Sequence, residues 1–396
     1  MKKLLLFLTF AMSIYANAQS AWTAQTSGTT NQLFSVFYTD ANTLYVTGAI
    51  GTILKTTNAG TNWTAQTSGS TNALRSVFFI DANNGYVVGT FGTILKTTNA
   101  GASWSAQTSG TSSHLEVVYF TDINTGYAVG NNGTIIKTID AGINWTTQIS
   151  GTTENLLSVY FTDANTGYAV GAFGTIIKTT NAGTSWTGLT NGSNYTLQSV
   201  HFPDANTGYA VGLNGTILKT TNAGTTWTSQ TTPTTVWLYS VYFHNATTGY
   251  AVGDDGIILK TIDGGTNWTA QTSGSTDVLW GVRFTDANTG YIVGGSGTIL
   301  KTTSGGEPTS INKNTINDNN LKVYPNPNNG NFTVTASNVT NIEIYNLLGE
   351  SIQSINLEGI TNEKVFIDLT ANPSGVYIVK IISDGRIFNQ KILFVE

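Results

Sequence analysis

The sequence predicts an all-β protein: a seven-bladed β-propeller closed by its N-terminal strand, followed by a small C-terminal β-sandwich. The first observation is a phrase that begins at Gly51–Trp63 as G-T-I-L-K-T-T-N-A-G-T-N-W and recurs with its lysine at a constant step of 41 residues. A period near 40 with several short strands per unit is typical of a propeller blade. The second is that tryptophan-led strands and sets of the other strands both number seven. The third is that this period stops after about residue 303, where a different pattern of short strands begins.

Each 41-residue unit is predicted to contain four strands, which we call A to D. In the first unit, A covers about Leu33–Thr39, B about Leu44–Gly48, C about Thr52–Thr57, and D begins at Trp63. These segments are rich in β-branched and aromatic residues. Clusters of Asp, Asn, Gly and Thr separate them, which is the chemistry of turns.

The two ends of the repeat region predict how the ring closes. D strands begin at Trp22, Trp63, Trp104, Trp145, Trp186, Trp227 and Trp268. The next tryptophan would fall at Thr309, in a polar segment, so the chain starts with an unpaired D strand and ends with a blade that lacks one. Pairing Trp22–Thr26 with the seventh blade completes both ends and removes exposed strand edges. A linear β-solenoid, the rival interpretation, leaves the missing strand unexplained.

Composition restricts the function classes. Only 10% of residues are charged and the net charge is −5, so the clustered basic face that nucleic-acid binding needs is not expected. Cysteine is absent, which excludes disulfides and thiolate metal sites. We predict no cofactor and no metal ion. Adjacent carboxylates at Asp254-Asp255-Gly256 are only a weak calcium signal.

The N-terminus predicts export. Met1-Lys2-Lys3, the apolar run 4–14 and the small residues Ala16-Asn17-Ala18 form a signal peptide over residues 1–18. The apolar run is shorter than the ~20 residues that span a bilayer, and we expect no transmembrane segment in the mature protein. The predicted domains are the propeller at 19–303, a flexible linker at 304–318 and the sandwich at 319–396.

Comparison of the seven copies shows where the repeat varies. The position at the entry to strand A carries seven different residues: Phe34, Arg75, Glu116, Leu157, Gln198, Tyr239 and Trp280. The position two residues earlier and the tips of the B–C loops vary as well. Because alternate loops of a meander share a face, we expect the D–A and B–C loops to lie together on one side of the ring.

This variable face is the predicted binding surface. The acidic residues Glu116, Glu154, Asp254, Asp255 and Asp277 fall in its loops. Drift of surface loops explains variability, but it does not favour exposed aromatic residues such as Phe91 and Phe173. Aromatic and polar groups together suit a glycan or a protein ligand. The candidate ligand-binding residues are Trp237, Tyr239, Trp280, Phe34, Arg75, Glu116, Gln198, Asp254, Asp255 and Asp277.

The residues that do not vary are interpreted as structural. The recurring lysine is expected to pack its stem along the blade and to pair with an Asp or with turn carbonyls. The tryptophan is expected to pack between blades. A third set is expected to hydrogen-bond the backbone of its own hairpin: Asn58, Asn99, Asp140, Asn181, Asn222 and Asp263.

Two of these hairpins carry a family resemblance. Thr138–Trp145 and Thr261–Trp268 resemble the Asp-box (BNR) motif, S/T-x-D-x-G-x-T/N-W. With the G-Y-x-V-G and G-T-I-L-K-T segments, about residues 21–303 resemble propellers of the photosystem II stability/assembly-factor type. The resemblance implies the fold and says little of function. For a photosystem role, no basic docking patch is evident.

Catalysis has little support in the sequence, and we predict no catalytic residue. Asp-box propellers include sialidases, which bind a carboxylate through three arginines, whereas this propeller has only Arg75 and Arg283. Glu116 and Glu154 remain a candidate glycosidase pair, provided that the fold separates them by about 5–9.5 Å.

The segment after the linker predicts the sandwich. Asp384-Gly385 is a hairpin turn. The seven expected strands are Leu321–Tyr324, Asn331–Ala336, Ile342–Tyr345, Ser351–Leu357, Val365–Leu369, Val376–Ser383 and Ile387–Val395.

This segment closely resembles the type A C-terminal sorting domain of the Bacteroidetes type IX, or Por, secretion system. The resemblance rests on V-Y-P-N-P, I-Y-N-L-L-G and P-S-G-V-Y phrases in the family's order, and the acidic end at Glu396 departs from it. It implies the type IX machinery as partner and a location outside the cell or on its outer surface. An ordinary appended sandwich is the alternative. The motif residues are Tyr324, Pro325, Asn326, Pro327, Gly330, Gly349, Gly375 and Tyr377.

Taken together, the sequence favours an exported, non-catalytic propeller that presents one variable face to a glycan or protein. A carbohydrate-active enzyme is one alternative. A structural or adhesive surface protein without a defined ligand is the other.

Overall fold

A computed structural model of the chain describes residues 21–307, 322–335, 339–346, 350–357, 364–383 and 386–395. The predicted signal peptide and residues 308–318 of the predicted linker lie outside the described residues. The chain divides into two compact units, Met1–Ile311 and Asn312–Glu396.

The first unit is a seven-bladed propeller of four-stranded antiparallel sheets, as predicted. Strand A is the innermost strand of each blade, and neighbouring A strands contact one another around the ring. The A strands are Leu33–Tyr38, Leu74–Phe79, Leu115–Phe120, Leu156–Phe161, Leu197–His201, Leu238–Phe243 and Leu279–Phe284. The B strands are Leu44–Gly48, Gly85–Gly89, Gly126–Gly130, Gly167–Gly171, Gly208–Gly212, Gly249–Gly253 and Gly290–Gly294.

The outer half of each blade is built from the two remaining strands. The C strands are Ile53–Thr56, Ile94–Thr97, Ile135–Thr138, Ile176–Thr179, Ile217–Thr220, Ile258–Thr261 and Ile299–Thr302. The D strands are Thr23–Gln25, Thr64–Gln66, Ser105–Gln107, Thr146–Gln148, Thr187–Gly188, Thr228–Ser229 and Thr269–Gln271, each starting one residue after its tryptophan. Short 3-10 turns join B to C at Thr90–Gly92, Ala172–Gly174, Leu213–Gly215, Asp254–Gly256 and Gly295–Gly297.

The N-terminal strand closes the ring, which confirms the prediction. Thr23–Gln25 pairs antiparallel with Ile299–Thr302, so that Thr23 faces Lys301 and Gln25 faces Ile299. Trp22 is buried in the core between the sixth and seventh blades. No strand of the seventh blade is therefore left without its partner.

Aromatic stacking holds neighbouring blades together. The ring of Tyr45 stacks on Phe79 of the next blade, with centroids 4.0 Å apart. Phe79 in turn meets the edge of Trp104 at 6.0 Å. Trp63 of the first blade packs in one core cluster with Tyr291 of the seventh. The tryptophans thus lie between blades, where each joins two hydrophobic layers.

The repeated lysine provides a second link between blades. Lys55 Nζ donates a hydrogen bond of 2.7 Å to the carbonyl oxygen of Ala100, in the C–D turn of the following blade. The hydroxyl of Tyr45 donates to the same oxygen, and Lys55 Nζ lies 5.3 Å from the Tyr45 ring centroid. The lysine that was expected to bind a turn carbonyl therefore binds one that belongs to its neighbour. The other six lysines repeat the contact.

The predicted Asp-box side chains bind their own hairpins. Asp140 Oδ1 accepts hydrogen bonds from the backbone N–H of Asn144 and the hydroxyl of Thr138. Asn58 makes the same pair of contacts with Asn62 and Thr56. The carboxylate and the amide serve equally in these two contacts, because both contacts use Oδ1, which the two side chains share.

The described residues of the second unit form seven strands in two sheets. Lys322–Tyr324, Asn331–Thr335 and Lys364–Asp368 form the three-stranded sheet. The four-stranded sheet has the order Ser351–Asn356, Val339–Asn346, Gly375–Ser383 and Arg386–Phe394. Alternate residues from both sheets, such as Phe332, Ile344 and Val379, are buried in one core. The unit is thus the predicted sandwich; residues 384–385 of the expected hairpin turn lie outside the described residues.

Candidate functional site

Every A strand contains a β-bulge at its second residue. In the first blade, Leu33 faces Gly48 and Ser35 faces Thr47, so Phe34 has no partner in the ladder. A bulge re-aims its side chain, and all seven bulged residues line the axial channel of the ring. They are the variable residues Phe34, Arg75, Glu116, Leu157, Gln198, Tyr239 and Trp280. The sequence-based placement of Glu116 in a loop was therefore wrong, because the bulge keeps this position inside the strand.

The end of the channel that the bulged residues line is called the channel mouth. Four aromatic side chains form one continuous arc there. Trp237 and Tyr239 have ring centroids 6.0 Å apart, and Tyr239 and Trp280 are 4.2 Å apart. Trp280 then meets Phe34 of the first blade at 5.8 Å. Trp237 is 37% exposed, while the other three rings are half-buried. We call these four residues the aromatic arc.

A charged pair continues the aromatic arc into the second and third blades. The guanidinium of Arg75 lies 4.6 Å from the centroid of the Phe34 ring. Arg75 Nε lies 3.5 Å from Glu116 Oε2, which makes an ion pair between adjacent blades. Leu157 and Gln198 complete the circle. The Gln198 amide has no hydrogen-bond partner within the residues that the structure describes, so it is a polar group available at the mouth.

The three candidate aspartates have different surroundings. Asp277 accepts hydrogen bonds from the hydroxyls of Thr298 at 2.6 Å and Ser296 at 3.1 Å. Its carboxylate therefore links the D–A loop to the B–C turn of its own blade. Burial, together with the nearby carboxylate of Asp254, raises the pKa of Tyr239 to about 12. Asp255 is exposed at the tip of a B–C turn with φ of +54°. Asp254 therefore lies next to the aromatic arc, while Asp277 is occupied.

The B–C tips lie on the same face as the D–A loops, as expected from the meander. Ala49 N donates to Gln32 O of its own D–A loop, and Gly51 N donates to Asn72 O of the next one. At these tips, Phe91 is 68% exposed and Phe173 is 73% exposed. A Cβ added to Gly51, where φ is +64°, would lie 1.8 Å from Ser70 O, so the tip admits no side chain at this position. The tips are consequently fixed in shape while their exposed residues vary.

A second circle of side chains lies deeper in the ring, and the sequence analysis missed it. It occupies the position three residues after each bulge, about 10 Å further along the strand. Neighbouring ring centroids are 5.0 to 5.4 Å apart from Phe37 through Phe78, Tyr119, Tyr160, His201 and Tyr242. The guanidinium of Arg283 lies 5.4 Å from the Tyr242 centroid. We call this set the inner ring: Phe37, Phe78, Tyr119, Tyr160, His201, Tyr242 and Arg283. Reading this one position across the seven copies would have revealed it.

The inner ring contains one fixed positive charge. His201 is buried, and burial together with the Arg283 guanidinium lowers its pKa to about 3, so the imidazole is neutral at physiological pH. Burial raises the pKa of Tyr119, Tyr160 and Tyr242, and the charge of Arg283 opposes the rise in all three. The charge of Arg283 therefore acts to lower the pKa of side chains on four other blades.

Within the described residues, no group of three His, Cys, Asp or Glu side chains is placed to hold a metal ion. Glu116, one of the candidate glycosidase carboxylates, is engaged by Arg75. In the described part of the chain, no helix has the length and apolar character required to cross a membrane.

In the second unit, the motif residues join the ends of strands. Asn326 Nδ2 donates to Lys391 O, and Asn326 Oδ1 accepts from Leu393 N. The Tyr377 hydroxyl donates to Pro373 O at 2.6 Å. A Cβ added to Gly330, where φ is +94°, would lie 2.9 Å from Thr370 Cγ2. Gly349 lies outside the described residues.

The fold defines a class, namely a seven-bladed propeller of Asp-box repeats joined to a small β-sandwich. Residues 322–395 match the family described as a secretion system C-terminal sorting domain. Residues 14–112, 97–190, 145–232 and 226–303 match the family described as photosynthesis system II assembly factor YCF48. The chain belongs to this YCF48 family, and its sorting domain directs it through type IX secretion to the extracellular space or the outer cell surface.

Solved structures agree on the fold of the propeller. One is described as YCF48 bound to a D1 peptide, with 20% identity, a TM-score of 0.63, and coverage of 72% of this chain and 95% of that one. Another is YCF48 from Cyanidioschyzon merolae, with 19% identity, a TM-score of 0.62, and coverage of 74% and 100%. No curated protein matched the sequence.

Proposed function

We propose that the exported propeller is a non-catalytic binding module that takes an extended segment of a protein partner at the channel mouth. The observation that carries the proposal is the aromatic arc, which joins three blades into one surface. Large rigid rings at the centre of a surface are the side chains that most often dominate binding energy.

The neighbouring polar groups favour a peptide over a glycan. The arc continues into the Arg75–Glu116 ion pair, and the Gln198 amide is available on the same circle. A peptide presents apolar side chains, backbone amides and charges, so it matches all three kinds of group. A neutral glycan stacks on the rings and hydrogen-bonds through its hydroxyls, but it brings no charged group to the ion pair and no apolar side chain to the arc. A solved YCF48 holding a peptide adds support for this ligand class on this fold.

A non-catalytic role is proposed on two grounds. The family of the propeller is one of assembly factors. In addition, Glu116 is the one carboxylate among the seven bulged residues, and Arg75 binds it.

The test exposes the full chain to a random heptapeptide library and, in parallel, to a glycan array. We expect selection of peptides rich in apolar residues. Trp280→Ala should weaken binding of a selected peptide roughly 30-fold, the equivalent of about 2 kcal/mol. Leu157→Ala is the matched control, because Leu157 occupies the same bulged position on the opposite side of the mouth. Selection of glycans without peptides, or equal losses in both variants, would refute the proposal.

A further inference from the structure

From the mouth down to the inner ring, the channel forms a cavity of about 410 Å³ whose charge is not balanced. The charged side chains that line it are Arg75, Glu116 and Arg283. Arg75 and Glu116 pair with each other. Arg283 makes neither a hydrogen bond nor an ion pair within the described residues, and its one contact of note is the face of Tyr242. The cavity therefore carries one net positive charge.

Arg283 is also the one residue of the inner ring whose side chain is not aromatic. Five of the other six blades place Phe or Tyr there, and the fifth blade places a neutral His201. Those six side chains form an aromatic wall with neighbouring ring centroids 5.0 to 5.4 Å apart. Packing at this level of the channel therefore does not require an arginine. The Arg283 guanidinium is half-buried over the face of one ring, so it is less hydrated than a guanidinium in open solvent, which strengthens its attraction for an anion.

We propose that the axial channel binds a carboxylate group, held by Arg283 at the level of the inner ring. A guanidinium presents a planar fork of N–H donors that fits the two oxygens of a carboxylate. Tyr160 lines the same cavity, and its hydroxyl has no hydrogen-bond partner within the described residues, so it is available as an additional donor. The aromatic wall suits an apolar body attached to the carboxylate.

Two sources present this chemistry, a small aromatic or aliphatic acid and the free C-terminus of a chain. The inference does not depend on binding by the aromatic arc, since Arg283 is at a different level of the channel. A partner that enters at the mouth and ends inside the channel would use both.

The test measures binding of three probes to the full chain by calorimetry: benzoate, the tripeptide Ala-Ala-Phe with a free carboxylate, and the same tripeptide as its amide. We expect the free acid to bind at least tenfold more tightly than the amide. Binding of both benzoate and the tripeptide acid indicates a general carboxylate site, and binding of only one identifies the source. Equal affinity for acid and amide, or binding of no probe, overturns the proposal.

The equivalent position in other blades suggests a substitution for Arg283. Arg283→Phe places at this position the residue that the first two blades carry there, so the wall should be retained. It should abolish the preference for acid over amide while leaving the melting temperature within a few degrees. Arg283→Gln provides a second variant that removes only the charge, and Lys322→Gln controls for loss of a positive charge elsewhere. A preference that persists in Arg283→Phe and Arg283→Gln refutes the assignment.

Discussion

The Nζ atom of Lys301 lies 2.7 Å from the carbonyl oxygen of Ala59, which links the last blade to the first. The hydroxyl of Tyr291 donates to the same oxygen at 3.0 Å. In the other blades the equivalent lysine reaches 45 residues along the chain, whereas Lys301 reaches back 242. Closure thus has two components: pairing of the N-terminal strand within the seventh blade, and this contact between the seventh and first blades.

Lys301→Met should weaken the second component. The methionine keeps most of the stem but removes the charged donor, so we expect a loss of about 1–2 kcal/mol in the free energy of unfolding. Urea titration of the full chain measures it. Lys364→Met, at an exposed position in the sandwich, is the control and should have no effect on the propeller transition. Identical curves for Lys301→Met and wild type would contradict a role in closure.

Deletion of residues 21–28 should remove the first component. The C strand Ile299–Thr302 would lose its partner, and Trp22 would leave a core in which it is only 2% exposed. We expect a loss of several kcal/mol and association through the exposed edge. Calorimetry and light scattering measure the two effects. Trp22→Ala separates packing from pairing, and should cost about 3–5 kcal/mol alone. An unaltered melting temperature in the deletion would refute closure.

The A–B turns predict a loss of stability in acid. The backbone N–H of Asn42 holds the pKa of Asp40 below its ordinary value, and Asn165 does the same for Asp163. In Asp122, Asp204 and Asp286, burial is the largest single influence and raises the pKa, but the hydrogen bonds together outweigh it. A carboxyl whose pKa is lower in the folded state stabilises the fold above the unfolded pKa of about 4. That contribution is lost as the pH falls through the folded value.

The melting temperature should therefore drop as the pH is lowered below about 4. The sixth blade supplies the control, because Asn245 takes the place of the aspartate and its Oδ1 accepts the same bonds from Thr247 and Thr248. Replacing the aspartates by Asn should keep the turns and flatten the acid limb. A limb equally steep in that variant would mean that other groups cause it. The variant carries Asp40→Asn, Asp81→Asn, Asp122→Asn, Asp163→Asn, Asp204→Asn and Asp286→Asn.

Alanine variants of the aromatic arc should separate binding from packing. Trp237 is the most exposed ring of the arc, so Trp237→Ala should change the melting temperature little. Tyr239 and Trp280 pack on each other, so their variants should lose stability as well. Affinity for a selected peptide, compared with melting temperature, distinguishes the roles. Stable Trp237→Ala protein with intact affinity would remove Trp237 from the binding surface.

Removal of residues 319–396 should stop export at the periplasm. The propeller should remain folded, because all seven of its sheets are complete without this segment. Cell fractionation locates the protein, and the melting temperature of the periplasmic form checks its fold. Asn326→Ala in the full chain is a milder variant, which loses the contacts with Lys391 and Leu393. Truncated protein at the cell surface would contradict a sorting role.

Much of the propeller was predictable because it repeats. The phrase Gly51–Trp63 supplies a pattern, and six further copies test its boundaries at a constant step. Closure followed from the position of Trp22, since an unpaired strand at one end and a missing strand at the other require each other. The C-terminal strands followed from alternation of apolar residues.

The candidate site was predicted only in part. Sequence comparison found the variable positions, but a bulge depends on pairing registers such as Leu33 with Gly48 and Ser35 with Thr47, which the sequence does not state. The inner ring was missed because Arg283 and His201 differ in type from the aromatic residues at the same position. The lysine partner was also not evident, since Ala100 contributes a backbone oxygen and any residue has one.

The pairing of Thr23 with Lys301 spans 278 residues, and it sets an order of events for the emerging chain. The first strand of the propeller pairs only when the last C strand is available, because its partner lies at the far end of the propeller sequence. Until then the segment has no partner in the seventh blade. Such long-range pairing slows folding, and it means that a chain interrupted before residue 302 has a loose end. Closure of the ring therefore requires the chain to be complete as far as residue 302.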